Sequence, residues 1–276
     1  MLITGSGIAE PDKRCIFIRF AQRTIRSFRT LTNAYLKTGI KRSIQQLILR
    51  SRLYAPLLSL NASLHYITYL VRGLEWCRRE AKRSFGDLKD PAVTLSTRED
   101  LYRFLLTSQN LDETIDYLEF GVARGRTIKW WVENNHKEDS RFVGFDTFTG
   151  LPDDWGSLKR GHFTAEAQVP AIADNRLKFE KGMFQHTLDN FLQNYSNDRR
   201  KVVNLDADLY SSTVFVLTRL GPLLKRNDVL IFDEFLTWKC PAHEIRALCD
   251  FADAYRMNYK LLGAAACFTH VAVEVI

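Results

Sequence analysis

The chain has 276 residues, 46% of them hydrophobic, so it can bury a full core and still carry an accessory region beside one large domain. Its net charge of +7 is uneven: residues 1–90 contain 17 Lys and Arg against 6 Asp and Glu, and residues 91–276 contain 22 against 26. The five scattered cysteines form no Cys-x-x-Cys pair, which argues against a disulfide framework and a zinc site and favours the reducing cytoplasm. We therefore predict a basic N-terminal region, 1–90, joined near Asp90-Pro91 to a mildly acidic domain, 91–276.

The basic N-terminal region is predicted to form Arg-rich helices from residue 14 onward. Leu53–Val71 has no charged residue over 19 positions, close to the roughly 20 residues of a spanning helix, but polar residues interrupt it. Its apolar residues follow helical spacing, which predicts one buried stripe: Leu57, Leu60, Leu64, Ile67, Val71 and Leu74. A packed helix or a helix on a membrane surface is favoured over a spanning one. No pattern of an RNA-binding domain accompanies the arginines, so no nucleic-acid partner is expected.

The domain that follows begins with a capped helix and a glycine turn. Ser96-Thr97 can cap a helix whose apolar run starts at Leu101. Ile115–Gly121 is predicted to be a strand entering a turn, and Gly125 to start the next helix, where a helix N-terminus favours a negatively charged ligand. The G-x-x-x-G spacing matches neither the dinucleotide motif nor the phosphate-binding loop, which argues against nicotinamide and nucleoside-triphosphate enzymes.

An acid follows the next strand at the position of a ribose ligand. Arg141–Phe145 is predicted to be a strand ending in Asp146, 21 residues after Gly125. In Rossmann-like folds an acid about 20 residues past the glycine turn binds the ribose diol, because a carboxylate accepts two hydrogen bonds. Turn and acid together predict a ligand that contains adenosine. Phe148 is a candidate for stacking on the base, with a core position as the more frequent alternative.

Two later strands end in acids. Residues 156–176 lack periodicity and are predicted to form a functional lid, and a short strand and turn follow over Phe179–Phe184. Val203–Leu205 and Val229–Phe232 then end in four acids: Asp206, Asp208, Asp233 and Glu234. In an open α/β sheet these acids would share the crevice at the carboxyl ends of the strands, where oxygen ligands suit a hard divalent cation. The alternative is that some of them cap a helix or pair with an arginine.

The C-terminal segment closes the sheet. Ala242–Arg256 is predicted to be an amphipathic helix, and Tyr259–Ala264 and His270–Ile276 to be strands joined by a short connection, so that the last strand runs antiparallel. His243, which follows the fifth strand, is a competing candidate for a catalytic base, although a lone histidine is more often structural.

These motifs resemble the class I S-adenosylmethionine-dependent methyltransferases, specifically the macrocin O-methyltransferase (TylF-like) group. The resemblance covers roughly residues 95–276, and its matching segments are Tyr117–Gly125, Phe142–Pro152, Leu205–Thr213 and Leu230–Phe235. It implies an α/β, Rossmann-like seven-stranded sheet with an antiparallel last strand. It also implies that S-adenosylmethionine binds over the first half of the sheet, and that acceptor and metal bind at the ends of the fourth and fifth strands.

The resemblance further implies a role for each site residue. Cofactor-binding positions would be Glu119, Gly121 and Gly125 on the methionine side, Asp146 at the ribose, and Gly182 with Phe184 near the adenine. A divalent metal, usually magnesium, would be held by Asp206, Asp233 and Glu234, with Asp208 as the general base. Glu234 departs from the aspartate of the sugar-methylating members, and its extra methylene changes the reach of the carboxylate.

The expected protein is thus a metal-assisted O-methyltransferase of the cytoplasm. Its acceptor would be a hydroxyl of a sugar or of a glycosylated natural product, that is, a small molecule or a glycan. The alternative is a non-catalytic binding or scaffold protein of this fold, tethered to a membrane surface or polyanion by its basic N-terminal region. Peripheral membrane contact and a homo-oligomer are further partners left open at this point.

Overall fold

The computed structural model describes residues 38–52, 54–155 and 157–276. Most of the arginines on which the predicted polyanion contact depends lie outside the described residues. The chain divides between Ala62 and Ser63 into two compact units. The first contains helix α1, Thr38–Ser51, and the start of helix α2, Ala55–Phe85. The boundary near Asp90-Pro91 stays a prediction, as do the membrane contact and the homo-oligomer.

The second unit is built on a seven-stranded sheet in the order β3-β2-β1-β4-β5-β7-β6. The strands are β1 Ile115–Phe120, β2 Arg141–Asp146, β3 Leu177–Lys181, β4 Arg200–Leu205, β5 Val229–Phe232, β6 Tyr259–Ala265 and β7 His270–Val275. Strands β1 to β5 pair in parallel, and β7 runs antiparallel to β5 and β6. The predicted Rossmann-like sheet with an antiparallel last strand is confirmed.

Helices cover both faces of this sheet. They are α3 Arg98–Ser108, α4 Arg126–Asn134, α5 Phe184–Gln193, α6 Tyr210–Leu220 and α7 Glu244–Tyr255, with single 3-10 turns at Pro91–Val93 and Gly221–Leu223. Alternate residues of a strand point to opposite faces, and in β1 Leu118 belongs to one buried cluster and Tyr117 to the other. The first cluster includes side chains of α2, α5, α6 and α7, and the second includes those of α3 and α4.

The prediction of a single buried stripe on α2 is wrong for its described members. Leu60, Leu64, Ile67, Val71 and Leu74 are 48 to 59% exposed. The face that packs on the core carries Trp76, Cys77 and Ala81, each at most 5% exposed. Helical spacing predicted an apolar stripe correctly but could not tell which face would be covered, because both faces carry apolar residues. None of the helices in the described ranges is long and apolar enough to cross a membrane.

Two further features of the fold were not predicted from the sequence. Helix α5 was predicted only as the end of a turn, although Leu188 is fully buried against the sheet. Lys201 in β4 is a fully buried charge, and its ammonium lies 2.8 Å from the carboxylate of Asp228. The same carboxylate accepts hydrogen bonds from the backbone N–H of Lys201 and of Lys225. This buried ion pair ties β4 to the turn that precedes β5.

Candidate active site

A cavity of about 260 Å³ opens at the carboxyl ends of the parallel strands. Seven of the twelve predicted site residues form part of its wall: Gly121, Asp146, Phe184, Asp206, Asp208, Asp233 and Glu234. The structure therefore brings three of the seven predicted cofactor residues and all four acids to one place. The remaining five, described below, lie behind the wall or beside it.

The glycine turn after β1 is needed for close packing of the chain. Gly121 has a φ of +97°, and a Cβ there would lie 1.8 Å from the backbone oxygen of Asp206. Gly125 has a φ of +78° and precedes α4, and its Cβ would lie 2.9 Å from the side chain of Pro170. Larger residues would be strained at both positions and would also collide with their neighbours. Gly121 lines the cavity, whereas Gly125 lies under a residue of the predicted lid.

Asp146 clamps this turn to the end of β2. Its Oδ2 atom accepts hydrogen bonds from the backbone N–H groups of Val122 and Ala123, each at 2.7 Å, and Oδ1 accepts one from Phe148 at 2.6 Å. A carboxylate offers about four acceptor positions, so Asp146 retains acceptor capacity on the cavity side. The side chain thus shapes the turn and stays available to a hydroxyl.

Three predicted cofactor residues support the wall from behind. Phe148 is fully buried and packs edge-on against Phe179. It therefore occupies a core position, the alternative to stacking on the adenine base. Gly182 donates its N–H to the backbone oxygen of Asp146 and forms the turn from β3 into α5. Glu119 is 1% exposed and accepts a 2.6 Å hydrogen bond from the Tyr117 hydroxyl. Burial raises the pKa of Glu119 to about 8, and its Oε1 atom has no partner in the described part of the chain.

His243 does not reach the cavity wall. Its Nδ1 atom accepts a hydrogen bond from the backbone N–H of Tyr210 at 3.2 Å, in the first turn of α6. Burial lowers the pKa of the imidazole, so the ring is held neutral. The geometry gives His243 a structural role at this helix start, and it is not among the groups that could take a proton from an acceptor in the cavity.

Two of the four acids, Asp206 and Asp233, pair with an arginine that was not predicted to be here. The Arg98 Nη2 atom lies 3.1 Å from Asp233 Oδ2, and its Nη1 atom lies 3.7 Å from Asp206 Oδ2. The other oxygen of Asp233, Oδ1, is 3.0 Å from His270 Nδ1. A fifth acid, Glu244, is fully buried, and its Oε2 atom accepts the backbone N–H of Glu234 at 3.0 Å.

Burial, followed by the charges of neighbouring carboxylates, raises the pKa of four of these acids, Asp206, Asp208, Glu234 and Glu244. Burial, followed by the charge of Asp233, raises the pKa of Asp206 well above its ordinary value, and burial does the same for Glu244. Burial and the charges of Glu234 and Asp233 raise the pKa of Asp208 to about 7. Asp208 has a φ of +57°, so the extended strand geometry does not persist that far. Both Asp206 and Asp208 nevertheless line the cavity.

The observed arrangement does not fit the predicted metal site. Asp206 and Asp233 are both paired with the Arg98 guanidinium, the alternative that the sequence had left open. Within the ranges that the structure describes, no group of three or more His, Cys, Asp or Glu side chains is arranged to hold a metal ion. The positive charge between the carboxylates of Asp206 and Asp233 is that of the Arg98 side chain.

Sequence patterns missed Arg98 because its partners lie more than 100 positions away. The local signal was the helix start, which is confirmed: Thr97 and Asp100 form a capping box. The cavity wall also includes Phe163, a residue of the predicted lid, and Leu151, which lies in the loop before it. Leu151 exchanges backbone hydrogen bonds with His162 and Gly161, so this end of the loop is closed on itself.

Comparison with known proteins gives the following matches. Residues 106–262 match the macrocin O-methyltransferase (TylF) family. Similar solved structures include CalS11, a calicheamicin methyltransferase (20% identity, 99% of each chain covered, TM-score 0.49), and the O-methyltransferase NovP (19%, 63% of this chain and 79% of that one, 0.45). A third is the O-methyltransferase TomG from Streptomyces achromogenes (15%, 74% and 89%, 0.43). No curated protein matches the sequence.

Proposed function

Because the chain belongs to the macrocin O-methyltransferase (TylF) family, and is thus an S-adenosylmethionine-dependent O-methyltransferase, we propose that it methylates a hydroxyl of a sugar or of a glycosylated natural product. The observation that carries this proposal is the single cavity that joins the glycine turn and Asp146 to Asp208. Cofactor and acceptor can therefore meet at the carboxyl ends of β1, β2, β4 and β5.

The first half of the cavity suits the cofactor. Gly121 lets the backbone pass close to a ligand, Asp146 has acceptor capacity left for a ribose hydroxyl, and Phe184 offers an aromatic wall for the adenine. The nearby carboxylates also favour the positive charge of a sulfonium. We assign the cofactor side to these three residues, with Glu119, Gly125, Phe148 and Gly182 as the residues that hold them in place.

The second half suits proton removal from a hydroxyl. In methyl transfer the bond between sulfur and methyl breaks as the bond between acceptor oxygen and methyl forms, and the sulfonium becomes a neutral thioether. The hydroxyl proton must go to a base, and we assign that role to Asp208. A base is most effective when its pKa lies near the working pH, and burial beside Glu234 raises the pKa of Asp208 to about 7.

The acceptor class can be tested by transfer of a labelled methyl group. We expect the purified enzyme to label sugar nucleotides or glycosylated natural products, and not the corresponding aglycones, with the label in an alkali-stable ether. Labelling of the aglycones to the same extent would contradict the assignment to a sugar hydroxyl. The predicted assistance by a divalent metal is not confirmed, because Arg98 pairs with two of the three acids assigned to the metal.

A further inference from the structure

The acid cluster at the ends of β4 and β5 contains a positively charged side chain, the guanidinium of Arg98. Arg98 is the first residue of α3 after its N-cap, and the capping box between Thr97 and Asp100 sets the start of the helix. The Arg98 side chain is 28% exposed and forms part of the cavity wall together with the acids. A guanidinium held at this place stays charged throughout the physiological pH range.

A divalent cation and Arg98 compete for the same oxygen atoms. Magnesium requires carboxylate oxygens at about 2.0–2.1 Å in near-octahedral geometry. Asp233 Oδ2 is already 3.1 Å from Arg98 Nη2, and Asp233 Oδ1 lies 3.0 Å from His270 Nδ1. A metal bound to Asp206 and Asp233 would also bring like charges to within a few ångströms of each other. Binding of one cation therefore requires displacement of the other.

We propose that Arg98 takes the place of the divalent cation in this enzyme. This proposal rests on the proposed function and specifies how the same site works. Two of the five N–H donors of a guanidinium suffice for the ion pairs with Asp206 and Asp233, and the others are available to the acceptor. As the acceptor hydroxyl gives its proton to Asp208 and its oxygen takes the methyl group, Arg98 stabilises the negative charge that develops on that oxygen.

The proposal is tested first by cation binding to the full chain, with Mn²⁺ as the probe and electron paramagnetic resonance as the readout. We expect the intact protein to bind no Mn²⁺ up to about millimolar concentration, and Arg98→Ala to gain one site because two carboxylates lose their partner. Adding Asp206→Asn to that variant should abolish the new site. Arg103→Ala is the matched control, since Arg103 lies on the same helix and pairs with the exposed Asp100. Arg103→Ala should bind no Mn²⁺.

Turnover provides the second readout. We expect the EDTA-treated enzyme to keep its activity, Arg98→Ala to lose about 10²- to 10³-fold, as on removal of a donor to a developing oxyanion, and Mg²⁺ to restore part of that loss. Submillimolar Mn²⁺ binding by the intact protein, lost in Asp206→Asn, would overturn the proposal, as would an EDTA-treated enzyme that needs Mg²⁺. These two results do not depend on the folding of Arg98→Ala. Failure of the intact protein to bind S-adenosylmethionine would instead overturn the proposed function, so the two failures are distinguishable.

Discussion

Asp208→Asn is expected to lower turnover by about 10²- to 10⁴-fold, the range that general base catalysis contributes. The amide keeps the size of the side chain but cannot take the proton of the acceptor hydroxyl. Because Asp208 lies at the end of β4 and not at the glycine turn, binding of S-adenosylmethionine should be unchanged. Turnover with a labelled methyl group and calorimetric titration with the cofactor measure the two effects separately.

The control for this variant is Asp153→Asn, an exposed acid of the loop next to the cavity residue Pro152. Its turnover should equal that of the unmodified enzyme. The intact enzyme should also lose activity as the pH falls below about 7, because Asp208 then takes up a proton. Turnover that survives in Asp208→Asn would remove Asp208 as the base.

Asp228→Ala is expected to lower the free energy of unfolding by roughly 3–5 kcal/mol. The change removes the carboxylate that pairs with the fully buried Lys201 ammonium, and leaves that charge with the neutral side chain of Asn197, whose Oδ1 atom accepts a 2.6 Å hydrogen bond from it. It also removes the acceptor for two backbone N–H groups at the turn into β5. Chemical denaturation followed by circular dichroism measures the difference.

Asp253→Ala serves as the reference for this stability measurement, because Asp253 is exposed on α7 and its removal should change the free energy of unfolding by less than about 0.5 kcal/mol. A double variant, Lys201→Met with Asp228→Leu, should recover the part of the loss that comes from the buried charge, but not the part that comes from the two backbone N–H groups. Equal stability of Asp228→Ala and Asp253→Ala would show that the ion pair contributes nothing.

The strand and turn positions of the site could be predicted because they depend on local rules. Buried parallel strands are continuous apolar runs, and an acid that follows such a run must lie at the carboxyl edge of the sheet. Asp146, Asp206, Asp208 and Asp233 were all located in this way, and the structure places each of them in the cavity wall. The glycine turn followed equally from backbone geometry, since Gly121 has a positive φ.

The positions that could not be predicted depend on contacts between distant segments. Arg98 is an ordinary first-turn residue in the sequence, and only the packing of α3 brings it 3.1 Å from Asp233. His243 stands beside Glu244 in a plausible catalytic context, but the start of α6 engages its Nδ1 atom. The prediction that the apolar stripe on α2 is buried was wrong for a similar reason. The helical spacing of apolar residues does not show which face of the helix meets the sheet.

The central claim, that this cavity binds S-adenosylmethionine, is tested most directly by calorimetric titration of the full chain with the cofactor. We predict a dissociation constant in the micromolar range for the intact protein, little change in Asp153→Ala, and loss of binding in Asp146→Ala. Loss is expected because Asp146 both offers an acceptor to the ribose and holds the backbone of Val122 and Ala123 in the turn. Absence of binding to the intact protein would contradict the claim and favour a scaffold protein of this fold, and unchanged binding in Asp146→Ala would place the cofactor elsewhere.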